Sequence, residues 1–258
     1  MSWHAYFVML ACLAAIGVVF WLWSVFRKDV SIVDSLWSLM FLVVAIGYAL
    51  QVGITDTRGW IILVFCAAWS LRLSWYITRR NHGDGEDLRY QAIRKNNEPN
   101  FWLKSLYIVF GLQALLAWLV AMPLAAAISG GKPFGLLDVL GISLWAIGMF
   151  FEVVGDRQLA RFKADPANKG KVLDTGLWRY TRHPNYFGEF TLWWGFYLLA
   201  AGAGGWWTIA SPILMSVLLL RVSGVTMLEK TIGDRRPAYA AYIQRTNAFF
   251  PGPPRSAA

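Results

Sequence analysis

Apolar residues fall in seven long blocks, 5–26, 32–51, 59–78, 103–128, 136–155, 187–203 and 205–222, separated by short polar stretches. Several reach the roughly 18 apolar residues that cross a bilayer as a helix. In hydrocarbon each backbone polar group must be paired internally, which makes helices the expected answer. The pattern predicts an all-α integral membrane protein with seven transmembrane helices. It forms a single membrane domain over 1–258, with helices one to four in 1–128 and helices five to seven, their loops and the tail in 136–258. Span six starts near the Pro184 break and is short. Gly202-Ala203-Gly204-Gly205 turns tightly into span seven, placing Trp206 and Trp207 where an aromatic belt would sit.

The polar stretches are unequal. Stretches 27–31, 79–104 and 156–185, with the tail from Arg221, hold 21 Lys and Arg; 52–58, 129–135 and 203–205 hold two, and Arg72 lies inside a span. The positive-inside rule therefore places the N-terminus outside and the C-terminus in the cytoplasm, as an odd span number requires. The cytoplasmic face is elaborate and the outer face consists of bare turns, which suits an enzyme opening to the cytoplasm better than a path across the membrane.

Composition sharpens this picture. At 57% hydrophobic the chain exceeds the roughly 45–50% of soluble domains. The net charge of +9 sits in the inter-span loops, where topology and anionic head groups account for it without nucleic acid. Cys12 and Cys66 lie within apolar blocks and read as buried hydrophobes; no disulfide framework or metal-ligand spacing is present. The first apolar run reads as a span, not a cleavable signal peptide. There is no internal repeat, dinucleotide-binding glycine loop or Walker loop. Any nucleotide would therefore be held by side chains between helices. No protein partner is implied.

Polar groups at membrane depth are costly, so each needs a reason. Asp34 opens span two, either as a first-turn acid favoured by the helix dipole or as an acid in a dry pocket able to donate a proton. Trp37 follows one turn on. Arg72 in span three either snorkels or pairs with Asp34, Glu152 or Asp156; Trp69 and Tyr76 share its face. Gly85-Glu86-Asp87-Leu88-Arg89-Tyr90 is either a solvated loop or a site where Tyr90 gives a proton and Arg89 holds a phosphate. Glu152 and Asp156 lie on one face of span five, either as a salt-bridged helix end or as acceptors for the hydroxyls of a nucleotide. Arg182-His183-Pro184-Asn185-Tyr186-Phe187-Gly188-Glu189 runs straight into span six beside the basic Lys163, Lys169, Lys171 and Arg179. That arrangement reads as the mouth of a pocket for an anionic cofactor. In the tail, Arg236, Tyr239, Tyr242 and Arg245 recur at helical spacing, either anchoring to lipid or binding phosphate.

Together Asp34-Ser-Leu-Trp37, Gly85–Tyr90, Thr181–Glu189 and the terminal Tyr-x-x-Tyr-x-x-Arg-Thr-x-x-Phe-Phe-Pro251 resemble bacterial members of the steroid 5α-reductase superfamily. The resemblance covers nearly the whole chain and is strongest from Leu140 to Pro251. It implies seven helices in the bacterial inner membrane and NADPH-dependent reduction of the Δ4 double bond of a 3-oxo steroid or similar enone lipid. By position it implies a cofactor site of Glu152, Asp156, Lys163, Arg179, Tyr180, His183, Asn185, Glu189, Arg221, Arg236, Tyr239, Tyr242 and Arg245. It implies a substrate side, 1–128, in which Asp34, Arg72 and Tyr90 are catalytic, together with Glu189 of the cofactor side, and Asp34, Trp37, Trp69 and Tyr76 line the substrate. Asp34 falls where family reductases of animals carry Glu, and Trp69 where they carry a Tyr.

The resemblance implies that the sterol enters sideways from lipid and that Asp34 hydrogen-bonds its ketone. The second reading is an isoprenylcysteine-type methyltransferase using S-adenosylmethionine, which shares the Arg-His-Pro-x-Tyr signature, an acid after the last span (Glu229) and the Tyr-x-x-Tyr tail. A third is a lipid-binding or transport protein without catalysis.

Overall fold

A computed structural model describes residues 1–83, 85–222 and 238–255. Its regular elements are all helical among the described residues: α1 (Trp3–Arg27), α2 (Ile32–Val52), α3 (Thr57–Asn81), α4 (Leu88–Asn97), α5 (Phe101–Ile128), α6 (Leu136–Ala164), α7 (Pro184–Gly202), α8 (Trp206–Val222) and α9 (Ala238–Arg245). Short 3-10 turns occupy Pro166–Asn168 and Gly176–Arg179. Among the described residues α1, α2, α3, α5 and α6 are long and apolar enough to cross a membrane, and α8 is a shorter apolar helix. The chain is a helical, multi-pass membrane protein.

Local chemistry sets the helix starts. The Ser2 hydroxyl accepts from Ala5 N, Asp56 from Gly59 N at 2.9 Å and Asp87 from Arg89 N at 2.9 Å, each satisfying a first-turn amide. Asp138 reaches back to Gly135 N at 2.8 Å. The polar hexapeptide read as a loop or a site contains one of these starts: Asp87 caps α4, a helix the apolar pattern could not show.

The chain divides into two compact units, Met1–Phe134 with Ala200–Ser211, and Gly135–Leu199 with Pro212–Ala258. In the first, α2 supplies the core, burying Val33, Met40, Phe41, Val44, Ala45 and Tyr48 completely. Its seam with α3 is polar: Ser38 Oγ donates to Ser70 O at 2.9 Å and Thr78 Oγ1 to Ser35 Oγ at 2.9 Å. Helix α5 is irregular, with a π-helical turn at Leu106–Gly111 and a break at Ala121 before Pro123. Proline lacks an amide hydrogen, so carbonyls one turn earlier lose their helical donors. Hydroxyls bond other carbonyls around the break: Tyr6 OH donates to Trp118 O, and Ser211 Oγ donates to Val120 O at 2.5 Å.

The second unit is built on backbone contact between α6 and α7. Gly141, Gly148 and Gly155 recur every seventh residue of α6, and Gly188 and Gly195 do the same on α7. A Cβ at Gly148 would stand 2.5 Å from Gly188 O and Leu192 N; one at Gly195 would stand 2.7 Å from Gly141 O and Trp145 N. Only glycine permits that approach. A Cβ at Gly188 would stand 2.5 Å from Glu152 N, so the stripe places the α6 acids beside the first turns of α7.

Candidate functional site

In the first unit α4 lies against the start of α2 through a knot of charges. Asp34, in the first turn of α2, accepts from Tyr90 OH through Oδ1 at 2.7 Å and from Arg89 Nη2 through Oδ2 at 2.6 Å. Arg89 also grips Asp87, with Nε on Oδ1 at 3.0 Å and Nη2 on Oδ2 at 3.1 Å. Asp87 N donates to Ser31 Oγ at 2.8 Å, tying α4 to the α1–α2 turn. A second pair completes the tie: Arg94 donates to both oxygens of Glu86 at 2.9 and 2.7 Å, and Glu86 accepts Val30 N at 3.1 Å. The Arg94 guanidinium stands 4.5 Å from the centre of the Phe101 ring. Beneath the knot lies an apolar floor of Val30, Val33, Phe101, Val109 and Phe110.

This environment shifts the α4 groups. Burial first, and the Asp34 charge second, push the Tyr90 phenol above its ordinary range. Burial works against the Arg89 charge, yet its hydrogen bond to Asp87 and the nearby Asp34 hold it above its usual value. Asp87 is likewise opposed by burial, and the Arg89 hydrogen bonds hold its carboxyl below the usual range. Tyr90 is therefore a neutral donor across ordinary pH, beside a permanent cation.

Two sequence expectations change here. Asp34 was expected to donate to a ketone; both its oxygens accept instead, and the donors are Tyr90 and Arg89. Its cationic partner is Arg89, not Arg72, and Arg89 is engaged by carboxylates rather than left for a phosphate. The residues expected along the substrate differ in setting. Trp37 packs edge-on against Phe41 with ring centres 5.0 Å apart, and Phe41 edge-on against Trp69 at 5.5 Å. Trp69 is completely buried, Arg72 is half-buried on α3, and Tyr76 lies under the Arg80 guanidinium at 6.0 Å.

In the second unit Glu152 and Asp156 are both buried on α6. Asp156 Oδ1 accepts from Asn185 Nδ2 at 3.1 Å, joining two residues expected in one cofactor site. Glu189 follows one turn along α7, half-buried. His183 is buried and stacked on Tyr186, with ring centres 5.8 Å apart. Of the cations expected at the cofactor, Lys163 at the end of α6, Arg179 in its 3-10 turn, Arg221 at the end of α8 and Arg245 on α9 are exposed; Tyr180 is exposed beside Arg179. Arg245 pairs with Asp174 at 3.4 Å on the surface. Tyr239 and Tyr242 lie edge-on at 5.4 Å, and Tyr242 OH donates to Trp178 O at 2.5 Å, which makes Tyr242 a fastening of α9. Arg236 and Glu229 lie outside the described residues.

The role of Arg182 was not visible in the sequence. Its guanidinium is buried and donates to Thr246 O at 2.6 Å and Ile243 O at 3.3 Å, while its amide donates to Asn247 O at 2.9 Å. Thr181 Oγ1 donates to Phe249 O at 2.7 Å, and Gly252 N to Tyr180 O at 3.1 Å. The start of the Arg-His-Pro turn is thus a clamp on the C-terminal segment. Gln158 and Gly155 dock the preceding turn: Leu177 N donates to Gln158 Oε1 at 3.0 Å and Trp178 Nε1 to Gly155 O at 3.1 Å. The seven-residue glycine spacing was the available signal for the α6–α7 contact; no comparable pattern marks Gln158 or the clamp.

A family described as a protein of unknown function (DUF1295) matches residues 20–246, most of the chain. The chain belongs to the DUF1295 family. This DUF1295 protein is 30% identical over 274 residues to the uncharacterized protein C594.04c of Schizosaccharomyces pombe, covering 92% of this chain and 76% of that one. It is also 40% identical over 62 residues to the probable O-methyltransferase ustE of Ustilaginoidea virens, covering 24% of this chain and 22% of that one. No solved structure matches.

Proposed function

We propose that this DUF1295 protein is an NADPH-dependent reductase of the carbon–carbon double bond in an α,β-unsaturated ketone of a membrane lipid, a 3-oxo-Δ4 steroid being the form suggested by the motif resemblance. The observation that carries the reading is the neutral phenol of Tyr90 held on Asp34 beside Arg89, over an apolar floor. A substrate carbonyl entering the knot takes the Tyr90 hydrogen bond in place of Asp34. The Arg89 charge draws electron density toward that oxygen as the enolate forms, an effect strengthened where water is excluded. Tyr90 then supplies the proton that balances the addition, and Asp34, still bonded to Arg89, holds the guanidinium in position.

The chemistry of the second unit's donor set fits a phosphorylated dinucleotide. Lys163, Arg179 and Arg221 offer cations for phosphates. Asp156, Glu152, Asn185 and Glu189 offer acceptors and an amide for ribose hydroxyls and a carboxamide. A bound NADPH would supply the hydride that such a reduction needs, being oxidised as the double bond is reduced. Seven spans, an outside N-terminus and a mouth opening to the cytoplasm, where NADPH is found, complete the proposal and rest on the Lys and Arg distribution.

A second reading is favoured by one observation, the partial likeness to a probable O-methyltransferase. It makes the protein a methyltransferase using S-adenosylmethionine. The two separate cleanly in one experiment: the purified protein is heated with NADPH or with S-adenosylmethionine, and cofactor absorbance is followed after adding a 3-oxo-Δ4 steroid or another enone lipid. Stabilisation by NADPH and enone-dependent oxidation support the reductase. Stabilisation by S-adenosylmethionine alone replaces it with the methyltransferase, and stabilisation by neither favours a lipid-binding protein.

A further inference from the structure

From the packing behind Asp34 we infer that the substrate is a single-chain enone, an acyl or isoprenoid chain bearing one unsaturated carbonyl, and that the Phe41–Trp69 ring pair excludes fused-ring bodies. This rests on the reductase reading and deepens it. Asp34, Trp37 and Phe41 lie at i, i+3 and i+7 on α2, which puts them along one face. A substrate whose carbonyl sits at Asp34 and Tyr90 and whose body runs inward along that face meets Trp37 after one turn. After about 10 Å of helix rise it meets Phe41.

There the way is closed. Phe41 and Trp69 are both at 0% exposure and meet edge to face at 5.5 Å, so no water-sized gap reaches either ring. Beside them, on the side toward Asp34, the α2–α3 seam is filled by Ser38 and Ser70, also at 0% exposure and joined by a hydrogen bond. Interiors packed this closely yield little to a rigid body. Trp37 is different: it is half-buried, with its ring edge against Phe41. The open direction is therefore sideways over Trp37. A flexible chain turns there, whereas a rigid tetracycle anchored by its ketone cannot bend round the indole and would need the volume that Phe41 and Trp69 occupy.

The test offers the full-length protein NADPH and either a long-chain acyclic enone or a 3-oxo-Δ4 steroid, and reads the ratio of the two kcat/KM values. Wild type is expected to favour the chain by about tenfold or more, the scale on which apolar pockets discriminate by shape. Trp69→Ala is expected to move the ratio toward the steroid by about tenfold, and Trp69→Phe to move it little. If Trp69→Ala does not fold, as judged by loss of NADPH stabilisation, Phe41→Leu removes the other half of the wall and is expected to move the ratio in the same direction. Equal turnover of both enones by wild type overturns this inference and leaves the reductase reading standing. A wild-type preference for the chain that Trp69→Ala and Phe41→Leu leave unchanged also overturns it. Oxidation of NADPH with neither enone overturns the reductase reading and this inference with it.

Discussion

Tyr90 donates its phenolic hydrogen to Asp34 Oδ1 at 2.7 Å, joining the first turn of α4 to the first turn of α2 across 56 residues of sequence. A buried phenol, a carboxylate and a guanidinium in mutual contact form a donor, its holder and a fixed positive charge. Removing the donor while keeping the ring, as in Tyr90→Phe, is expected to lower turnover by about 100-fold or more, the usual weight of a general acid. Asp34→Ala and Glu189→Ala are expected to lose most turnover, and Cys66→Ala little. Steady-state rates with an enone lipid and NADPH check all four. Wild-type-like rates in the two acid variants would defeat the site assignment.

The charge knot carries a signature in acid. Asp87 titrates below its ordinary value of 3.8 in the folded protein, so below that pH the unfolded chain takes up its proton first. Its contribution to stability is fully present above 3.8 and is lost as pH falls toward the lower folded value. The difference in thermal unfolding between wild type and Asp87→Asn should therefore be constant near neutrality and shrink below that point. A difference that grew with acidity would reverse the sign.

Tyr90 predicts the opposite edge. Its phenol titrates above the ordinary 10.0 because of burial and the Asp34 charge. As pH rises past that value the unfolded chain ionises while the folded one does not, and stability falls. Tyr90→Phe should remove that alkaline loss, read as a smaller drop in unfolding temperature above pH 10.0 than wild type shows.

Backbone contact between α6 and α7 makes Gly148 intolerant of any side chain. Gly148→Ala sets a Cβ 2.5 Å from Gly188 O and should cost about 1–3 kcal/mol by forcing the helices apart. Gly131→Ala, where an added Cβ meets nothing within 4 Å, should fall within about 0.5 kcal/mol of wild type. Unfolding in detergent by a denaturant that the protein tolerates reversibly compares the two. Equal stability would mean that the helices are not in contact.

Arg182 predicts a local effect. Arg182→Ala removes the donor to Thr246 O and Ile243 O and leaves buried carbonyls without it, a loss of about 1–3 kcal/mol. The C-terminal segment should then be cut by protease earlier than in wild type, with α1–α5 unaffected. Unchanged cleavage would argue against the clamp.

The apolar blocks located the helices because bilayer-length runs have few alternatives. The same signal was blind to α4, whose ten residues are mostly polar and which is a helix through the Asp87 cap and its ion pairs. It also drew α5 as one uniform block, although Pro123 broke the pattern in plain view. In the candidate sites, Asp34 and Tyr90 were each legible as polar residues in apolar company; that they touch was not, because pairing across a fold leaves no local pattern. Asp156 with Asn185 was legible only through the resemblance. Trp69 was noted as a departure at one position, and its meaning came from Phe41, an ordinary apolar residue until its ring was seen against the indole.

The central claim is hydride transfer from NADPH to an enone held at Asp34 and Tyr90. NADPH labelled with deuterium at the transferable position of its nicotinamide, incubated with the protein and an enone lipid, tests it most directly by mass spectrometry of the product. One deuterium at the β-carbon, formed by wild type and nearly absent with Tyr90→Phe, is the predicted result. A product without deuterium, or one carrying a methyl group from S-adenosylmethionine, would contradict it.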